Sequence, residues 1–201
     1  MVCLTAGSRE AEQIVKQSRR EFMKTGGLAL AGFALLPDRD FISVSAIETI
    51  EMRSDALGSK VWFDPVGLFV KPGTTVRWIV RENVHTTTAY HPRNDHHSLR
   101  IPEGAKPWDS GFLVNPGSHF DVTLTVPGVY DYYCAPHEAA GMVGRIVVGH
   151  TGGPGSEAFD YWVGKPGTGA WRHVPGPARL ALPSVARIIA ARRVHPAQPR
   201  K

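Results

Sequence analysis

Tyr133-Cys134-Ala135-Pro136-His137-Glu138-Ala139-Ala140-Gly141-Met142-Val143-Gly144 is the stretch on which the reading of the fold turns. It spaces a cysteine, a histidine and a methionine as Cys-x2-His-x4-Met, with small and turn-forming residues between them. Val129-Tyr130-Asp131-Tyr132-Tyr133 precedes it and Val143-Gly144-Arg145-Ile146-Val147-Val148 follows it. Both flanks are rich in β-branched and aromatic residues, so the stretch reads as a short loop joining two strands.

The same grammar extends upstream. Phe120, Val122, Leu124 and Val126 alternate with Asp121, Thr123 and Thr125 before a Pro127-Gly128 turn. Phe63 through Val70 leads to a Lys71-Pro72-Gly73 turn and then to Thr75-Val76-Arg77-Trp78-Ile79-Val80. Ile47-Glu48-Thr49-Ile50-Glu51-Met52 alternates with the two-residue period of a half-buried strand. With 21 glycines and 16 prolines, the expectation is an all-β protein, a Greek-key β-sandwich over residues 47–149. Residues 86–118 form a long polar insertion, of a length that is ordinarily functional or carries small elements of its own. Residues 150–201 form a Gly/Pro-rich basic extension, with one short helix near 184–194. Ser184 is its expected N-cap, and Val185, Ile188 and Ile189 its apolar face.

The first 46 residues read as an address. Ser18-Arg19-Arg20-Glu21-Phe22-Met23-Lys24 resembles the twin-arginine export signal, and an uncharged run from Thr25 to Pro37 follows. That run is short for a permanent membrane span and fits the apolar region of a signal peptide. Val44-Ser45-Ala46 is the expected cleavage site. The implied location is periplasmic or extracellular, with any membrane association peripheral or through an uncleaved signal. Cys3 falls in the removed segment, so Cys134 is left as a lone cysteine, either a free thiol or bound to something.

The net charge of +5 is uneven. Residues 47–170 carry ten basic and thirteen acidic side chains, whereas residues 171–201 carry seven basic and no acidic ones. The basic balance belongs to the tail, and nucleic-acid binding is not expected. The tail helix is expected to pack on the edge of the domain.

His85 follows the strand ending near Val80, far from Cys134 in sequence. Two imidazoles, a thiolate and a thioether suit copper in both oxidation states, because thiolate favours Cu(I) while imidazole serves Cu(II). The Cys134, His137 and Met142 spacing, the tract Tyr130-Asp131-Tyr132-Tyr133-Cys134, the strand Arg145–Val148 and the early strand pair Phe63–Trp78 resemble the cupredoxins of the plastocyanin, pseudoazurin and halocyanin type. The resemblance covers roughly residues 47–149. It implies one type 1 copper per chain, with His85 as upstream nitrogen ligand, Cys134 as thiolate, His137 as second nitrogen ligand and Met142 as axial ligand. It also implies an electron carrier and not an enzyme, one that docks transiently on redox partner proteins near His137. Ala135, Pro136, Ala139, Ala140 and Gly141 would form an apolar collar there, and small interfaces suit partners that must separate quickly.

One departure concerns Thr86, which stands where many cupredoxins have an asparagine that ties the two ligand loops together. A second is the wealth of histidines after His85. His91 is the rival upstream ligand. His91, His96 and His97 could form a second metal site, the basis of an alternative reading as a copper storage or delivery protein. Solvated side chains are the plainer expectation for them, and His119 is expected to be structural. Trp108 and Asp109 are candidates for pinning the insertion to the sandwich.

Overall fold

The computed structural model describes residues 47–197. The proposed export signal and cleavage site lie outside the described residues. Two sheets face each other. One contains β1 (Ile47–Ser54), β2 (Val61–Asp64), β4 (Thr74–Val80) and β6 (His119–Leu124), in the order β2-β1-β4-β6. The other contains β3 (Gly67–Val70), β5 (Thr88–Ala89), β7 (Gly128–Tyr133), β8 (Val143–Val148) and β9 (Arg193–Val194), in the order β5-β7-β8-β3-β9. β1 runs parallel to β4 and β3 parallel to β8; the remaining pairings are antiparallel. The expected β-sandwich is therefore the observed one.

Alternation explains the packing. In β1 the buried residues Ile50 and Met52, and in β4 Val76, Trp78 and Val80, face the second sheet. They meet Phe63, Leu68, Tyr130, Tyr132 and Ile146 in one core. Phe63, Trp78, Trp108 and Tyr132 pack ring against ring, with Trp78 and Tyr132 edge to face at 5.3 Å. β6 is an edge strand, so Phe120 and Val122 are only half-buried. The run Phe63–Val70 divides into β2 and β3, which belong to different sheets. Pro65 lacks an N–H for a ladder, and the chain crosses between sheets there.

β7 and β8 are buried at every position, on both faces. The outer face is covered by the insertion and the C-terminal extension. The extension holds α1 (Gly176–Ala181), α2 (Val185–Ala191) and β9. Tyr133 and Val143 pack with Tyr90, Val174, Ala178 and Leu182, while Val129 and Val147 pack with Ile188 and Val194. Between these apolar groups, Asp131 lies fully buried and takes paired bonds from Arg145 and one from Arg100 Nε at 2.7 Å. The two guanidinium groups also reach carbonyls of the extension, Arg100 to Gly155 and Arg145 to Pro183.

The helix near 184–194 forms as α2, and Ser184 Oγ accepts from the N–H of Arg187. Only part of its expected face is covered. Ile188 is fully buried and Val185 packs beside it, but Ile189 is exposed, because a two-turn helix laid on β3 and β9 turns one edge inward. α1 is absent from the sequence expectation. Its Pro175-Gly176-Pro177 start reads as a turn, yet proline is accommodated in the first helical turn, where its missing N–H has no intrahelical partner to lose.

Candidate metal centre

The loop between β7 and β8 is a 3-10 turn, Ala135–Ala140, closed by Gly141 in the left-handed region at φ +85°. Cys134 N–H donates to Met142 O, Met142 N–H to His137 O, and His137 N–H to Cys134 O. These bonds interlock the backbones of the three residues. His85 comes from the opposite loop, where its backbone exchanges both hydrogen bonds with Leu113.

The side chains of His85, Cys134 and His137 converge, with one ligand atom of each lying within 4.8 Å of the others. Nδ1 of His137 is 3.4 Å from Cys134 Sγ, and Nδ1 of His85 is 3.7 Å from it. The thiol, His85 and Met142 are fully buried. His137 is partly exposed, and its chain neighbours Ala135, Pro136, Ala139 and Ala140 are exposed. The side chain of Met142 is part of the main core.

Thr86 ties the loops together. Its N–H donates to Cys134 Sγ at 3.3 Å, and its hydroxyl oxygen accepts from the N–H of Ala135 at 2.7 Å. Thr88 donates its hydroxyl proton to Asp109, so the Thr86 hydroxyl must donate to Thr88 across their 3.1 Å contact. Thr87 accepts from the Trp108 indole N–H. Trp108 pins the insertion to the sandwich by packing against Trp78, Tyr130 and Tyr132, while with Asp109 it closes the insertion on itself through Thr87 and Thr88.

Burial sets the proton chemistry. It pushes the Cys134 thiol up to about 11, while bonds from Thr86 and His137 pull the other way. It pushes His85 down to about 4, helped by the neighbouring His137 and opposed by the Glu82 backbone, and it lowers His137 as well. At neutral pH the imidazoles offer free lone pairs, and the thiol is a group that a soft cation would ionise. Two nitrogens and one sulfur in a buried, preassembled cluster fit copper.

The other histidines are not part of this cluster. His91 Nδ1 accepts from the N–H of Arg93. His96 is exposed. His97 corrects the expectation of solvated side chains: it is buried, with Nε2 3.1 Å from Glu138 Oε2 and Nδ1 2.9 Å from the Asn94 carbonyl. Among the described residues, His85, Cys134 and His137 are the group arranged to hold a metal ion. His119 is exposed at the start of β6.

The family of copper binding proteins named plastocyanin/azurin matches residues 50–149. Chloroplastic plastocyanin from Hordeum vulgare is 32% identical over 147 residues, which is 70% of this chain and 85% of that protein. This chain belongs to the plastocyanin/azurin family. Chloroplastic plastocyanin from Chlamydomonas reinhardtii is 30% identical over 144 residues, 67% of this cupredoxin and 86% of that protein. Among solved structures, a pseudoazurin from Sinorhizobium is 29% identical with a TM-score of 0.49, covering 68% of this chain and 90% of its own. Cupredoxins of this group are copper proteins that carry electrons and are not enzymes, so copper is the metal the cluster is to be judged against. The sequence motif located the ligand turn. Glu138, Tyr90 and His97 had no motif to reveal them, because their association is made only by folding.

Proposed function

We propose that this cupredoxin is an exported carrier of single electrons, holding one type 1 copper through His85, Cys134, His137 and Met142. The observation that carries the reading is the convergence of two imidazole Nδ1 atoms on one buried sulfur, with only His137 reaching solvent. Bound copper supplies a one-electron couple whose two states tolerate the same ligands. His85 and Cys134 hold the site away from water. His137 offers the short route to the surface, and the exposed Ala135, Pro136, Ala139 and Ala140 form an uncharged seat for a redox partner that binds briefly. Phe112 is 68% exposed and Val114 57% exposed on either side of Leu113, the bridge partner of His85. In this reading residues 1–46 are the twin-arginine signal, residues 47–149 the copper domain and residues 150–201 an extension of it, with the protein working outside the cytoplasmic membrane.

The test is an optical titration of the protein with Cu(II) beside Cys134→Ser. An intense blue band that saturates at one copper per chain, disappears in the variant and bleaches with a mild reductant is the expected result. Colourless binding, or several coppers indifferent to Cys134, would overturn the proposal.

A further inference from the structure

The turn that carries His137 is gripped by the insertion, through contacts that metal binding alone does not require. Glu138, the residue after His137, is buried in a turn whose neighbours Ala135, Pro136, Ala139 and Ala140 are exposed. The Tyr90 hydroxyl donates to its Oε1 at 2.7 Å, and His97 Nε2 stands 3.1 Å from its Oε2. Tyr90 and His97 both belong to the insertion, and their rings lie 4.6 Å and 4.5 Å from that of Tyr133, the residue before Cys134. Asn94 anchors the clamp: its carbonyl meets His97, and its amide donates to the carbonyls of Ala89 and Trp108.

Burying a carboxylate is costly unless it is fully bonded, so a surface turn has no general reason to turn a glutamate inward. The backbone gives a reason. Glu138 O accepts from Gly141 N–H, and the adjacent His137 O accepts from Met142 N–H. Holding Glu138 therefore holds the peptide segment from which both His137 and Met142 project. On the other flank, Gly141 lies against α1, where an added Cβ would meet the Pro177 carbonyl oxygen at 3.4 Å and Ala181 Cβ at 3.6 Å. The turn is fixed from both sides.

Resting on the copper-carrier reading, we propose that Glu138, clamped by Tyr90 and His97, is a positioning residue that fixes the orientation of His137 towards the metal. The insertion then serves the electron-transfer site directly. Supporting groups around a metal ligand commonly alter metal affinity by about 10- to 100-fold when removed.

The test compares the copper-loaded full chain with Tyr90→Phe, Glu138→Ala and Glu138→Gln, and with Ile188→Val, on the buried face of α2, as a control. Copper loss to a chelator, the reduction potential and the EPR spectrum are read beside Tm. Tyr90→Phe and Glu138→Ala are expected to lose copper ~10-fold faster or more, with a shifted potential and an altered copper hyperfine splitting. Glu138→Gln, which keeps an oxygen for the Tyr90 hydroxyl, is expected to stay closer to the wild type than Glu138→Ala. Ile188→Val lowers Tm without moving the spectrum or the rate. The proposal is overturned if Tyr90→Phe and Glu138→Ala match the wild type in rate and spectrum, or if Ile188→Val, at equal loss of Tm, changes them as much. Should Glu138→Ala not fold, Tyr90→Phe decides alone, since it removes a single oxygen. A wild-type chain that forms no blue one-copper complex overturns the carrier reading itself, and this inference with it.

Discussion

The hydroxyl oxygen of Thr86 accepts a hydrogen bond from the backbone N–H of Ala135 at 2.7 Å, joining the loop of His85 to the loop of Cys134. The donor side of the same hydroxyl continues to Thr88 and on to Asp109. A threonine thereby supplies the link that an asparagine makes in many cupredoxins. Thr86→Val keeps the shape and leaves the Ala135 N–H unbonded, a loss of about 1–3 kcal/mol. Thr86→Ser retains the hydroxyl and is expected to cost less. Denaturant unfolding of the two variants checks the order; equal stability of Thr86→Val and wild type would remove the link from the account.

Asp131 is the fully buried centre of an ion triad with Arg100 and Arg145. Asp131→Asn leaves two buried guanidinium groups without their counter-charge, and a loss of roughly 3–5 kcal/mol is expected in equilibrium unfolding. Replacing all three residues by apolar ones of similar volume should recover only part of it, because the Gly155 and Pro183 carbonyls also lose donors. A single variant as stable as the wild type contradicts this picture.

Gly144 stands opposite Tyr132 across β7 and β8, and the tyrosine ring lies over it. A Cβ at Gly144 would come within 2.2 Å of Tyr132 Cζ and hydroxyl oxygen. Gly144→Ala is expected to destabilise by about 3 kcal/mol, near the upper end of ordinary overpacking. Tyr132→Leu, harmful alone, should rescue it in part in the double variant. Additive losses measured by thermal unfolding would show that the contact is not the cause.

Copper uptake by the apoprotein should release protons in a defined number. With the thiol near 11 and both imidazoles below their ordinary value, the neutral apoprotein holds one proton on Cys134 and none beyond neutrality on His85 or His137. Thiolate ligation then frees about one proton per copper at about pH 7, readable with an indicator in weak buffer. No release would mean the thiol is not the ligand.

The apoprotein should also lose stability in acid. His85 titrates at about 4 when folded, against 6.5 ordinarily. Its contribution is complete above the unfolded value and is lost as pH falls from there through about 4, since only the unfolded chain takes the proton readily. His85→Gln should flatten that part of the apoprotein's stability-against-pH curve, and an unchanged slope would count against it.

What depends on short spans of backbone is legible from residue order alone. Cys134, His137 and Met142 fall on one turn because few residues separate them, and the alternation in Ile47–Met52 or Thr75–Val80 assigns side chains to faces wherever the strands pair. The capped helix after Ser184 was legible for the same reason. The rest arises from how the folded chain packs. Packing brings His85 and not His91 against Cys134, sends β2 and β3 to different sheets, and gathers Asp131, Arg100 and Arg145 beneath the extension. It also turns Glu138 inward onto Tyr90 and His97. These partners are separated by many residues, and those on the insertion belong to a loop whose composition does not encode direction. Their meeting follows from closing the sandwich and covering its second sheet, where each buried polar group must find a partner within reach.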